Sequence, residues 1–340
     1  MNFLRQIKNL VETNKIISSS FDLIASTPVY QKLIKHKIDK TIFNLKKNKN
    51  YNIIIETTNF CNAKCIMCPH TIMKRPQKIM SDDIFNQIIK RLIQEKIKPN
   101  AFILNGFGEP LIDTQIINRI KLIKTTFPNS KIKFYSNFNL ATTKLITNLV
   151  SSGLDEINIS LNGYSSLTYQ KVMKINYPKT ITNLKKLINI NQKNNSPLKI
   201  RISMTLVKHN ETSIKKFIDK WGNLVDSVSV NKVHDYHGNV SDQTNKYKIN
   251  FHKKTFPCKY IWDTIPIDVD GNITLCCLDY ESQFKFGNVK SQPILKSFYN
   301  LKFNAIRQYH LNSDISHINI CRNCYTPYKN GVEWLFNKLY

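Results

Sequence analysis

The chain has 340 residues, 41% of them hydrophobic and 21% charged, with a formal net charge of +27. That length and composition suit one large or two smaller folded domains, and exclude a disordered chain or a disulfide-stapled miniature. No apolar run reaches the ~18–20 residues of a membrane helix.

Only seven of the 50 basic residues are Arg, and the lysines are spread along the chain. This reads as a solvated basic surface that favours acidic partners over cationic ones. The start, Met1-Asn2-Phe3-Leu4-Arg5, has no long apolar segment and no small-residue cleavage site. A secretory signal is therefore not expected, and a cytoplasmic location is.

Residues 1–50 are Lys-rich, with helical apolar spacing at 3–11 and 29–43, and read as a helical lead-in. From residue 51 strands and helices alternate. Strands are predicted at 51–57, 101–105, 131–136, 156–161, 199–206 and 227–233. Helices fall between them at 81–97, 114–126, 143–152, 180–191 and 212–221. Ser81 caps the first of these, with Asp82 and Asp83 in its first turn. This α/β alternation predicts a parallel sheet covered by helices, with its chemistry at the C-terminal strand ends. A partial or complete barrel and a doubly wound sheet both fit the alternation.

The core is thus expected over 51–235, followed by a polar linker at 236–250. Residues 251–330 hold five of the eight cysteines, the turn Asp270-Gly271-Asn272 and one predicted helix at 293–309. They read as a small second domain built around its cysteines, with 331–340 as a tail.

The cysteines fall into two groups: Cys61, Cys65 and Cys68, then Cys258, Cys276, Cys277, Cys321 and Cys324. Without a signal peptide, such grouping reads as metal ligation rather than disulfides. Cys61 to Cys68 has the spacing C-x3-C-x2-C. Three thiolates can hold three irons of a four-iron cluster and leave the fourth open to a small molecule. With His70 as a fourth ligand, the same loop could hold zinc.

This loop, after the first strand, resembles that of the radical S-adenosylmethionine enzymes. So do three later segments, each after its strand: Gly106-Phe107-Gly108-Glu109-Pro110, Ser136-Asn137, and Ser160-Leu161-Asn162-Gly163. The resemblance implies a partial (β/α)6 TIM-like barrel, with Cys61, Cys65 and Cys68 on a [4Fe-4S] cluster. It also implies S-adenosylmethionine contacts by Met67, Gly106, Gly108, Glu109, Asn137, Ser160 and Asn162. Met67 stands where many relatives have an aromatic residue, a mild departure, and two further positions depart from the family. Met173 stands where an Arg often meets the carboxylate, so that Lys171 or Lys174 substitutes or the contact is lost. Phe138 replaces the usual Gly after Asn137.

The second group, Cys258, then Gly271-x4-Cys276, then Cys321-x2-Cys324, resembles the auxiliary-cluster domain called SPASM, or Twitch in its short form. Five cysteines suffice for one further [4Fe-4S] cluster. The resemblance assigns it to Cys258, Cys276, Cys321 and Cys324, with Cys277 as the alternative to Cys276. Read alone, the cysteine pair at 321–324 also suits a zinc ribbon.

The family implies reductive cleavage of S-adenosylmethionine to a 5′-deoxyadenosyl radical, fed by a low-potential donor such as a flavodoxin or ferredoxin. One auxiliary cluster, and no N-terminal peptide-binding domain, point to oxidation of a small polar substrate of sugar or amino-sugar type. Radical modification of a ribosomal peptide or protein is the alternative, and a non-catalytic iron–sulfur electron carrier a remote one. Nucleic acid is not expected as a substrate, because all the cysteines apart from Cys277 are explained without one set aside to carry a methyl group. His234, Asp235 and His237 follow the sixth strand and are candidate bases, or else simply a polar linker.

Overall fold

The computed structural model describes residues 27–195, 197–234, 236, 240, 257–322, 324 and 326. The predicted helix at 3–11, most of the 236–250 linker and the 331–340 tail lie outside these residues.

Helix α1 (Pro28–Asn48) leads into β1 (Asn50–Ile55). Parallel strands β2 (Lys98–Ile103), β3 (Lys131–Ser136), β4 (Glu156–Ser160), β5 (Lys199–Leu206) and β6 (Ser227–Lys232) follow in spatial order. The connections carry α2 (Asp82–Gln94), α3 (Ile116–Thr126), α4 (Thr143–Val150), α5 (Ser166–Met173), α6 (Tyr177–Lys193) and α7 (Ile214–Trp221).

The strands alternate by face. Ile53, Ile55, Phe102, Ile132, Phe134, Ile157, Ile159 and Ile202 are fully or almost fully buried in the hydrophobic core. The other face carries Asn52, Glu56, Lys133, Tyr135, Asn158 and Ser203. Period-two alternation thus gives the sheet an apolar face for helices and a more polar face, which Ile54 and Ile103 share, for the cleft described below. Helix α2 shows how a helix is fixed to the apolar face. Ser81 Oγ accepts the Ile84 N–H at its start, and Phe85, Ile88, Ile89 and Leu92 are buried. Each such side chain contributes about 1.5–3 kcal/mol through burial.

The second region does not form a separate sheet. After α8 (Tyr260–Asp263), strand β7 (Thr264–Ile267) pairs in parallel with β1. Strands β8 (Asn272–Thr274) and β9 (Lys285–Asn288) then add antiparallel. The result is one open nine-stranded sheet in the order β6-β5-β4-β3-β2-β1-β7-β8-β9. The helix expected over 293–309 is two, α9 (Ile294–Phe298) and α10 (Leu301–Leu311). Asn300 breaks them apart, because its side chain caps the second by accepting the Phe303 N–H at 2.8 Å. A short α11 (Asn319–Arg322) precedes Cys324.

Candidate active site

The loop after β1 carries the first three cysteines and is tied down at both ends. Before them, Asn59 Nδ2 donates to the Pro76 carbonyl at 2.9 Å, and Met80 N–H to that of Thr57 at 2.8 Å. Buried His70 donates from Nε2 to the Asn59 carbonyl at 3.0 Å, so that nitrogen closes the loop rather than ligating. Within the cysteine run, the Lys64 and Ile66 N–H groups donate to the Met173 and Val172 carbonyls at the end of α5, at 3.3 and 3.0 Å.

The three thiols are free. Burial raises Cys61 to about 12, and burial followed by the charges of Cys68 and Cys61 raises Cys65 well above an ordinary thiol. Burial raises Cys68 too. Such thiols ionise only when cations replace their protons, which is the chemistry of a metal or cluster site. The Ala63 N–H already points at Cys61 Sγ from 3.4 Å, as a donor to a thiolate would. Among the described residues no three Cys, His, Asp or Glu side chains converge as one ion requires, whereas a cluster offers each thiolate its own iron.

Gly106 and Gly108 follow β2. A Cβ on Gly106 would run into the Glu56 side chain, and one on Gly108 into the Thr58 and Phe60 carbonyls. These glycines let the β2 loop press against the cysteine loop, a need separate from any contact with a cofactor. Glu109 is 2% exposed. Its Oε1 accepts from Ser136 Oγ at 2.6 Å and Leu111 N–H at 3.2 Å, and its Oε2 from Asn137 N–H at 2.7 Å. Burial nevertheless pushes its carboxyl up to about 7. In turn Asn137 Nδ2 donates to Asn62 Oδ1 inside the cysteine loop at 2.8 Å.

Phe138 takes up the left-handed backbone, φ 58°, that glycine usually fills. Its N–H donates to Ser136 Oγ at 2.8 Å and its ring is fully buried, so packing offsets the strain and the turn is kept. Met173 is also buried. Its Sδ lies 3.4 Å from Cys65 Sγ and 2.9 Å from Asn162 Nδ2, while Asn162 Oδ1 accepts the Thr205 N–H at 2.7 Å. Both Lys171 and Lys174 are exposed, away from that buried thioether. Ser160 ends β4 beside Ser203 of β5, and Met67 is buried beneath the loop.

Cys258, Cys276, Cys277, Cys321 and Cys324 line one small pocket. Burial, then the neighbouring thiols, raises Cys258 and Cys276 well above an ordinary thiol, and Cys277 to about 11. The Leu278 N–H points at Cys276 Sγ from 3.4 Å. The turn before it is built by Asp268, whose Oδ1 accepts the Asp270 and Asn272 N–H groups around Gly271 at φ 82°. Both Cys276 and Cys277 border a second, larger space as well.

That space is a cleft of about 440 Å³ against the polar face of β1, β2 and β3. Gly106 and Phe107 lie on one wall and Cys276 and Cys277 on another, with Lys133, Tyr135 and Asn105 between. One cleft therefore adjoins both the glycine motif and the second cysteine group. Sequence reasoning missed it, because the residues that line it come from eight separate segments.

The model of the radical SAM superfamily matches residues 55–220, and that of an iron–sulfur cluster-binding domain, SPASM, matches 258–325. The chain belongs to the radical SAM superfamily and carries a C-terminal SPASM domain. Membership brings [4Fe-4S] clusters and S-adenosylmethionine as cofactors, and the two thiol groups fit such clusters. The structure of BtrN in complex with AdoMet and 2-DOIA is similar, at 15% identity and TM-score 0.58, over 81% of this chain and 92% of that one. So is Streptococcus suis SuiB bound to precursor peptide SuiA, at 15% and 0.60, over 79% and 70%. In sequence, the chain is 26% identical over 123 residues to GTP 3′,8-cyclase of Lactiplantibacillus plantarum, 35% of this chain and 36% of that one. The chain thus spans about a third of that relative's length.

Proposed function

We propose that this enzyme oxidises a small polar molecule of sugar or amino-sugar type by a radical mechanism. One observation carries the reading: the cleft, lined by apolar side chains with charged and polar groups among them, that adjoins both Gly106-Phe107 and the thiols Cys276 and Cys277. Its volume suits one small molecule.

Cys61, Cys65 and Cys68 would hold the core cluster, and Cys258, Cys276, Cys321 and Cys324 the auxiliary one. When bound, these cofactors supply a 5′-deoxyadenosyl radical for hydrogen abstraction and an acceptor for the electron the substrate then loses. The chain binds, orients and excludes water. The backbone at Gly106 and Gly108, with Glu109, Asn137, Ser160 and Asn162, would hold S-adenosylmethionine beside the cysteine loop. The backbone beside Met67 would meet the adenine. The polar side chains of β1–β3 would orient the substrate between the glycine motif and the second thiol group. The similar structure of BtrN holds 2-DOIA and AdoMet, in keeping with a small-molecule substrate, and that of SuiB holds a precursor peptide, in keeping with the second reading, a peptide substrate. The basic surface suits an acidic electron donor such as a flavodoxin or ferredoxin.

The test is isotopic. Holoenzyme is incubated anaerobically with a panel of ring-deuterated sugars, aminocyclitols and short peptides. Deuterium in 5′-deoxyadenosine, paired with a sugar or cyclitol product two hydrogens lighter, supports the proposal. Label arriving from peptides alone overturns it in favour of the second reading.

A further inference from the structure

His234 stands just past β6, at the end of the core, and its Nε2 lies 3.6 Å from Cys324 Sγ, ninety residues away in sequence. The residue is buried, at 8% exposure. Its other nitrogen, Nδ1, accepts the Tyr236 N–H at 2.8 Å. A ring nitrogen that accepts carries no proton, so in the neutral imidazole the proton sits on Nε2, facing the sulfur. A cluster-bound Cys324 is a thiolate and can only accept. Both partners therefore fix one direction, N–H to S.

We propose that His234 is a positioning residue for the auxiliary cluster: it donates to the Cys324 sulfur and makes that cluster easier to reduce. This rests on the reading that Cys324 is a ligand of that cluster. Reduction adds negative charge, and a donor on a ligand sulfur stabilises the reduced state more than the oxidised one. Aromatic packing holds the imidazole in place. Its ring lies 4.9 Å from that of Tyr236, which meets Phe107 at 6.0 Å and Tyr280 at 6.3 Å. Phe107 belongs to the glycine motif, so the core supplies the donor and part of its support to a cluster held by the other domain. His234 does not line the central cleft, which argues against the catalytic base that sequence position alone suggests.

The test uses full-length holoenzyme, anaerobic redox titration and electron paramagnetic resonance. Wild type, His234→Leu and His234→Gln are compared, and added S-adenosylmethionine identifies the core cluster by perturbing its signal. In His234→Leu the reduction equilibrium of the auxiliary cluster is expected to fall about tenfold, about 59 mV for one electron. The core cluster should not move. In His234→Gln, whose amide N–H can replace Nε2, the auxiliary value should stay near wild type. An unchanged value in His234→Leu, or an equal shift of both clusters, overturns the proposal. Cys324→Ala that keeps all its iron, about eight per chain for two four-iron clusters, overturns the underlying ligand reading instead.

Discussion

Glu56 and Arg75 meet in a two-point ion pair, with Nη1 to Oε2 at 2.5 Å and Nη2 to Oε1 at 2.6 Å. The same carboxylate accepts the Phe107 N–H at 3.0 Å and the Val269 N–H at 3.3 Å. Arg75 Nε donates to the Tyr280 carbonyl at 2.6 Å. One buried pair thus joins the segment after the cysteine loop, the glycine motif and the second domain.

Arg75→Met would leave Glu56 charged, 4% exposed and without its partner. Removing one member of such a pair costs about 3–5 kcal/mol. The expected result is a large fall in the urea midpoint, partly recovered in Arg75→Met/Glu56→Gln. A loss under about 1 kcal/mol in the single variant would contradict this.

Gly108 packs against carbonyl oxygens of Thr58 and Phe60 that cannot move without moving the cysteine loop. Gly108→Ala should therefore displace that loop and lower core-cluster occupancy. Iron content is expected to drop from about eight toward about four per chain, with the auxiliary signal intact. Full iron with normal core spectra would show that the loop tolerates the methyl group.

Glu109 gives a pH dependence with a definite sign. Burial lifts its folded-state value from 4.5 to about 7, against the lowering effect of Ser136, Asn137 and Leu111. The folded state thus holds a proton that the unfolded state releases. The stabilisation is full below about 4.5 and is lost as pH rises through about 7, on the order of 3 kcal/mol in all. Glu109→Gln should flatten the stability profile between these limits, whatever it does to the absolute value. A profile as steep as that of wild type would refute the assignment.

Two adjacent thiols reach the auxiliary pocket, and the ligand set distinguishes them. Cys276→Ala is expected to lose the auxiliary cluster, about four irons, whereas Cys277→Ala keeps it. Iron analysis of both variants decides the matter. The reverse outcome would make Cys277 the ligand and Cys276 the spare thiol.

Most of the parallel strands are legible in the sequence because β1, β3, β4 and β5 each turn alternate isoleucines or aromatics to the helices. Strand β7 is not: it is four residues, Thr264-Ile265-Pro266-Ile267, with a proline, and becomes a strand only through β1. The cysteine motifs are legible as two groups because spacing alone sorts them, and the structure brings the second group to one pocket. Their supports are less so. No local pattern pairs Glu56 with Arg75, sets His234 beside Cys324, or places Met173 against Cys65; those contacts exist only once the chain has folded. Glycine spacing marks Gly106 and Gly108, yet the neighbours that demand it, Glu56 and Thr58, belong to another strand's loop.

The most direct measurement is of 5′-deoxyadenosine. Chain reconstituted anaerobically with iron and sulfide, given a strong reductant and S-adenosylmethionine, is expected to release it. A variant with Cys61, Cys65 and Cys68 all changed to Ala should release none. Wild-type protein that holds about eight irons and releases no 5′-deoxyadenosine, even with the deuterated substrate panel present, would contradict a radical mechanism for this chain.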